Sequence, residues 1–213
     1  MKIVAVARDP DRPDDHTDLA AAAREAGATA VAVYRPHPDG TDVPDGPDGP
    51  TVVHAWFPDV PTSDPCPTPD LTRWFGGRVD AYLVDERVVL PGDLPRTVGA
   101  PTPGIVHLPF VRRARSLSRA AMAEHWQRVH APLVPEHQPG VVRYVQNVVR
   151  RPLTPDAPEV DGMAQLHFRT VADLHERFHA SAASRDLLGA DVDRFLDRTA
   201  GWRIRARETW ILG

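Results

Sequence analysis

Apolar positions along the first part of the chain fall into short β-branched runs closed by Pro, Gly or Asp. Lys2–Ala7 (KIVAVA), Thr29–Tyr34 (TAVAVY), Thr51–Phe57 (TVVHAWF) and Val79–Val84 read as strands. Between the first two, Asp18–Ala26 is Ala-rich and stops at Gly27, so it predicts a helix with a glycine C-cap. Arg35–Pro50 is almost wholly Pro, Gly and Asp and predicts an exposed loop, and Pro69–Phe75 predicts a short helical turn. The order strand, helix, strand, strand, helix, strand is the split βαβ plan of a ferredoxin-like unit, with helices on one face of an antiparallel sheet.

The plan then returns. A Pro- and Gly-rich linker ends at Gly104, and Ile105–Val111 opens the second set as a strand. Ser118–Val134 predicts a helix, Val141–Val149 and Met163–Thr170 two strands, Val171–Ala180 and Asp191–Arg198 two helices, and Arg205–Leu212 the last strand. In the Ser118 helix, Met122, Trp126, Val129 and Leu133 recur at helical spacing, Ser118 is placed to cap the start, and Pro132 is expected to end it. Two copies of one plan in one chain are an internal repeat. The expected fold is therefore α+β, with tandem ferredoxin-like repeats forming a fused pseudo-dimeric α/β barrel: a diverged repeat over 1–90, a linker over 91–104 and a second unit over 105–213. Such a chain is expected to be a monomeric fused barrel or a homodimer of barrels.

In the second half, EHWQRVHAPLV, followed by VVRYVQNVV and DGMAQLHF, resembles the EthD family of the dimeric α/β-barrel superfamily. The likeness covers about residues 104–213. It implies a small-molecule pocket between sheet and helices, and, as in many relatives, chemistry without metal or flavin: oxygenation of electron-rich aromatics, lactone isomerisation, polyketide cyclisation, dehydration or decarboxylation. The histidine of the family's H-A-P-L segment maps onto His130.

His125 and His130 are the titratable groups of that helix. Five residues apart, they lie about 140° apart around an α-helix, so only one is expected to face a pocket. His130, near the helix end where the partial negative charge favours its protonated form, reads as a general acid or base, or as a cap for local backbone. Tyr144 reads as a hydrogen-bond donor to a developing oxyanion, or as a packed core tyrosine. Trp126, Met122, Phe110, His107 and Asn147 are candidate substrate contacts, although strand alternation puts Tyr144 and Asn147 on opposite faces. The first-half helix, LAAAAREAG, has no counterpart of either histidine, so one site per chain is expected.

His175 and His179 spell H-E-x-x-H, the spacing of a zinc-binding helix, but no HxxGxxH extension follows, and no metal or cofactor is expected. No Walker-type loop, Rossmann fingerprint or G-x-S-x-G is present. A net charge of −4 argues against a nucleic-acid partner. The single cysteine, Cys66, excludes an internal disulfide framework, and no apolar run is long enough for a membrane helix, so a cytoplasmic location is expected. The reading is a cofactor-independent acid/base enzyme for a small hydrophobic aromatic or polyketide-type molecule. Its rivals are a cofactor-free monooxygenase and a non-catalytic binding barrel.

Overall fold

The strands are β1 (Lys2–Ala7), β2 (Ala30–Pro36), β3 (Thr51–Trp56), β4 (Val79–Leu90), β5 (Ile105–Val111), β6 (Val141–Pro152), β7 (Gly162–Phe168) and β8 (Trp202–Leu212). They close into one antiparallel barrel in the order β1-β3-β2-β8-β5-β7-β6-β4. Within it, β4-β1-β3-β2 and β8-β5-β7-β6 follow the same order, four strands from each half. The computed structural model describes residues 1–8, 16–38, 49–58 and 78–213. The turn expected at Pro69–Phe75, Cys66 and most of the loop over 35–50 lie outside the described residues.

Two seams join the halves, β2 against β8 and β4 against β6. They explain strands longer than the hydrophobic pattern predicts. β4 runs on through Asp85, Glu86 and Arg87 because these residues pair with Val148, Asn147 and Gln146 of β6. Here the ladder supplies the backbone partners that continued apolar patterning would have signalled. Every strand has one face toward the lumen and one toward helices or surface, which is why the runs are apolar without clean alternation.

The buried apolar residues form three clusters. One, including Ile3, Val33, Leu19 and Ala23, lies between the first-half sheet and α1 (Thr17–Glu25). A second, including Val6, Val52, Leu108, Met163 and Ile204, fills the lumen. The third, including Met122, Trp126, Val134, Leu166 and Phe195, lies under the second-half helices. Those helices are α2 (Arg119–His125), a single π-helical turn (Trp126–His130), α3 (Ala131–His137), α4 (Val171–Glu176) and α5 (Ala182–Phe195).

Three helix predictions need correction. The Ser118 helix does not stop at Pro132. That proline sits in the first turn of α3, directly after the π-turn, where a missing N–H costs no α-helical bond. α5 begins at Ala182, not Asp191, and ends at Phe195. Its buried face carries Leu188, Asp191 and Phe195, and the polar Asp191 together with Gly189 hides the helical period. α4 ends at Glu176, because Arg177 leaves helical geometry, so His175 and His179 do not share a helix face. No helix among the described residues is long and apolar enough to cross a membrane.

Candidate functional site

The site is built on the π-turn. Ser118 caps α2 by accepting the Ala121 N–H on its hydroxyl, and the helix runs regularly to His125. The Ala131 N–H then bonds the Trp126 carbonyl, five residues back instead of four. The buried positions accordingly step Met122, Trp126, Ala131, Val134, and Val129, expected inside, is 44% exposed. A turn closed by an i→i+5 bond brings residues five apart almost above one another. His125 and His130 therefore do not diverge as an α-helix would require. Both reach Asp191 of α5, with His125 Nε2 2.8 Å from Oδ1 and His130 Nδ1 2.9 Å from Oδ2.

Asp191 is buried and takes one imidazole on each oxygen. Beneath it the Phe195 ring lies against both imidazoles, 4.8 Å from His125 and 5.3 Å from His130. Because a carboxylate can only accept, His130 donates from Nδ1, leaving Nε2 as the basic atom. Burial pushes the His130 pKa down, and the hydrogen bond and charge of Asp191 pull it back up, with a net result below the usual histidine value. At neutral pH His130 is thus a neutral imidazole held in one tautomer by a carboxylate.

His130 and Tyr144 both line a cavity of about 490 Å³ between the second-half sheet and its helices. Its other walls include Trp126, Leu166, Phe178, Leu188, Val192 and Phe195, and His107, His179 and Arg185 add polar groups. The volume lies within the range of small-molecule pockets, roughly 300–1,000 Å³. The Tyr144 hydroxyl accepts from Trp126 Nε1 at 2.9 Å and from Gln146 Nε2 at 2.8 Å. The Gln146 amide is fixed in this orientation because the same nitrogen donates to the Trp126 carbonyl at 3.0 Å. With two N–H groups on its oxygen, Tyr144 keeps only its own O–H to offer. Burial raises its pKa, against the two hydrogen bonds, so the proton stays on.

The acidic-Gly opening of β7 serves this arrangement. A Cβ at Gly162 would lie 2.4 Å from Cζ3 of Trp126, so only glycine leaves room for the indole. Asp161, fully buried, accepts from the Arg113 main-chain N–H at 3.0 Å, Arg113 Nη1 at 2.5 Å and Arg119 Nε at 3.1 Å, tying β7 to the start of α2. Burial pushes the Asp161 carboxyl up, but the Arg113 main chain and the Arg119 and Arg113 side chains outweigh it and hold it below the usual range.

The remaining expected contacts divide. Trp126 and His107 line the cavity, and His107 stands edge-on to Phe178 at 5.6 Å. Met122 is fully buried in the core cluster and is no part of the cavity wall. Phe110 borders the cavity, but its ring belongs to the lumen cluster and stacks on Trp202 at 3.6 Å. Asn147 is on the lumen face, donating to the Met163 carbonyl at 3.2 Å and to Gln165 at 3.3 Å, because it lies an odd number of residues from Tyr144 on an unbroken stretch of β6. Sequence reasoning missed Asp191 as the partner of both histidines. It also missed His179, which lines the cavity although its neighbour in the motif, His175, is exposed. The one usable signal for Asp191 was an acid at the i+3 position from Leu188 on an amphipathic stretch.

The EthD domain model matches residues 114–199. No curated protein matches the chain. Among solved structures, an anthrone oxidase-like protein is similar at 10% identity and a TM-score of 0.58, covering 99% of this chain and 92% of that one. A putative chlorite dismutase is similar at 9% identity and a TM-score of 0.43, covering 98% and 94%. The α2 helix, its π-turn, Asp191 and much of the cavity wall thus fall within residues 114–199, the part of the chain that is similar to the EthD domain.

Proposed function

We propose that the cavity under the π-turn binds a small hydrophobic aromatic or polyketide-type molecule and carries out acid/base chemistry on it without a cofactor. The observation that supports this most is the His130–Asp191 pair. A neutral imidazole whose Nδ1–H is held by a buried carboxylate presents a basic Nε2 in a fixed direction, in a cavity also lined by a tyrosine that can only donate. In this reading His130 Nε2 removes a proton from carbon next to a carbonyl, and the electron pair moves onto the carbonyl oxygen as an enolate. The Tyr144 O–H stabilises that charge. Return of the proton elsewhere gives isomerisation, loss of water gives dehydration, and attack on a second carbonyl gives cyclisation. Trp126, Phe178 and Phe195 supply flat apolar walls, and His125 steadies Asp191 from its other oxygen.

The same reading takes the chain as two ferredoxin-like units, 1–90 and 105–213, fused through the linker 91–104 into one barrel that works as a monomer or as a homodimer of barrels. The matching strand order of the halves supports it.

An anthrone is a suitable probe, being aromatic and enolisable. Wild type is expected to bind it with quenching of Trp126 and to exchange or transform its acidic C–H. The His130→Gln variant should lose about 100-fold in rate, with binding retained. Asp191→Asn should lose activity and shift the rate profile toward lower pH, because the carboxylate that raises the His130 pKa is gone. Oxygen consumed in proportion to product would replace this reading with the monooxygenase. Binding with no turnover in wild type, across a panel of enolisable aromatics, would replace it with a binding barrel.

A further inference from the structure

The lumen face of the same strands carries a second set of polar groups that the cavity chemistry does not use. At one end of the lumen the buried Asp80 is already paired with Arg8 and Arg78, and at the other Lys2, Trp56, Glu86, Arg143, His167 and Glu208 converge from six strands. The two carboxylates are already engaged. Glu86 accepts from Lys2 Nζ at 2.7 Å and Trp56 Nε1 at 2.8 Å. Glu208 accepts from Tyr34 at 2.8 Å and from Thr102 of the linker at 2.9 Å, with Arg143 Nη1 at 3.5 Å.

What is left over is specific. Both nitrogens of His54, a residue 1% exposed, have no hydrogen-bond partner. The same holds for Arg143 Nε, for Asn147 Oδ1 and for His167 Nε2, which has the Glu208 carboxylate at 3.9 Å, beyond hydrogen-bond reach; all are buried. Unsatisfied atoms of this kind are uncommon in folded interiors, and five of them at one end of one lumen call for an occupant. The Asn147 amide is fixed in orientation, since its nitrogen donates to the Met163 carbonyl, so its free atom is an acceptor.

The charges define the occupant. Lys2, Arg143 and, from the linker, Arg96 over the Trp210 ring at 4.5 Å outnumber Glu86 and Glu208. The unspent donors are a guanidinium N–H and imidazole N–H groups, which suit a carboxylate. The unspent acceptors, Asn147 Oδ1 and the second His54 nitrogen, suit a hydroxyl. Trp56 and Glu86 are partly exposed, so this end of the lumen reaches the surface.

We propose that the polar end of the barrel lumen is a second binding site, for a small 2-hydroxycarboxylate whose carboxylate lies on Arg143, His54 and His167 and whose hydroxyl lies on Asn147. The site is independent of the cavity under the π-turn.

Glycolate titrated into the full chain tests it, followed by tryptophan fluorescence and by histidine ring NMR. Saturable binding is expected, with the His54 and His167 resonances moving and that of His130 unmoved. Acetate and ethylene glycol, each lacking one half of the ligand, should bind at least tenfold more weakly. His54→Phe, which keeps a flat ring and removes both unsatisfied nitrogens, should fold and lose at least tenfold in glycolate affinity. His130→Gln should leave that affinity unchanged. Should His54→Phe fail to fold, Arg143→Lys, which keeps the charge and loses Nε, is expected to show the same loss. Absence of saturable binding, acetate binding as tightly as glycolate, or full affinity in the folded variants would each overturn the proposal.

Discussion

At the scale of single residues, burial decides which histidines take up protons. Burial lowers His167 to about 4, partly offset by Glu208, and drives His54 well below the usual value, helped by Lys2 and Arg143. Between the unfolded value of 6.5 and about 4, the unfolded chain binds more protons at His167 than the folded one, so stability rises with pH across that window and is lost as pH falls through it. The loss from His167 alone is about 3 kcal/mol. Glu208, held below the usual carboxylate range by His167, Arg143, Tyr34 and Thr102 against the effect of burial, adds a loss of the same direction at lower pH. Urea unfolding at pH 7, 5.5 and 4 should show the decline, with a shallower slope in His54→Phe. A flat profile would show that neither buried histidine is neutral in the fold. Little of this is legible in sequence: His54 and His167 stand out only as histidines in apolar strands, and nothing local reveals that both face a shared lumen.

At the scale of elements, the π-turn makes the site. The helix itself is legible from Ser118 and the apolar spacing of Met122 and Trp126, but the extra residue is not, because Val129 fits an ordinary helical period and yet is turned out to solvent. The assumption of 3.6 residues per turn then separates His125 from His130, which the i→i+5 bond instead brings to one carboxylate. Gly162 is the complement of this turn on the sheet. Gly162→Ala should cost about 1–3 kcal/mol, since the rigid indole of Trp126 has to move away from the added methyl. It should also disturb the Trp126–Tyr144 hydrogen bond, seen as a shift of the Trp126 indole N–H resonance. Unchanged stability and an unchanged resonance would mean that the indole is not seated on Gly162.

At the scale of the molecule, the order of the elements was readable from runs of β-branched residues, and the strands of each half take the same order in the barrel. The length of the seam strands was not readable, because pairing between β4 and β6 rests on backbone partners from distant sequence. Closure of the barrel by one chain gives every strand two neighbours, and the two halves differ in what they carry: both helix histidines and Asp191 belong to the second. One cavity site per chain is therefore expected. Native mass spectrometry of the full chain with a saturating anthrone tests this most directly. The predicted result is one ligand for each 23.5 kDa chain in every oligomer observed, lost when Trp126 is replaced by Ala. Two ligands per chain, or one ligand shared by two chains, would contradict it.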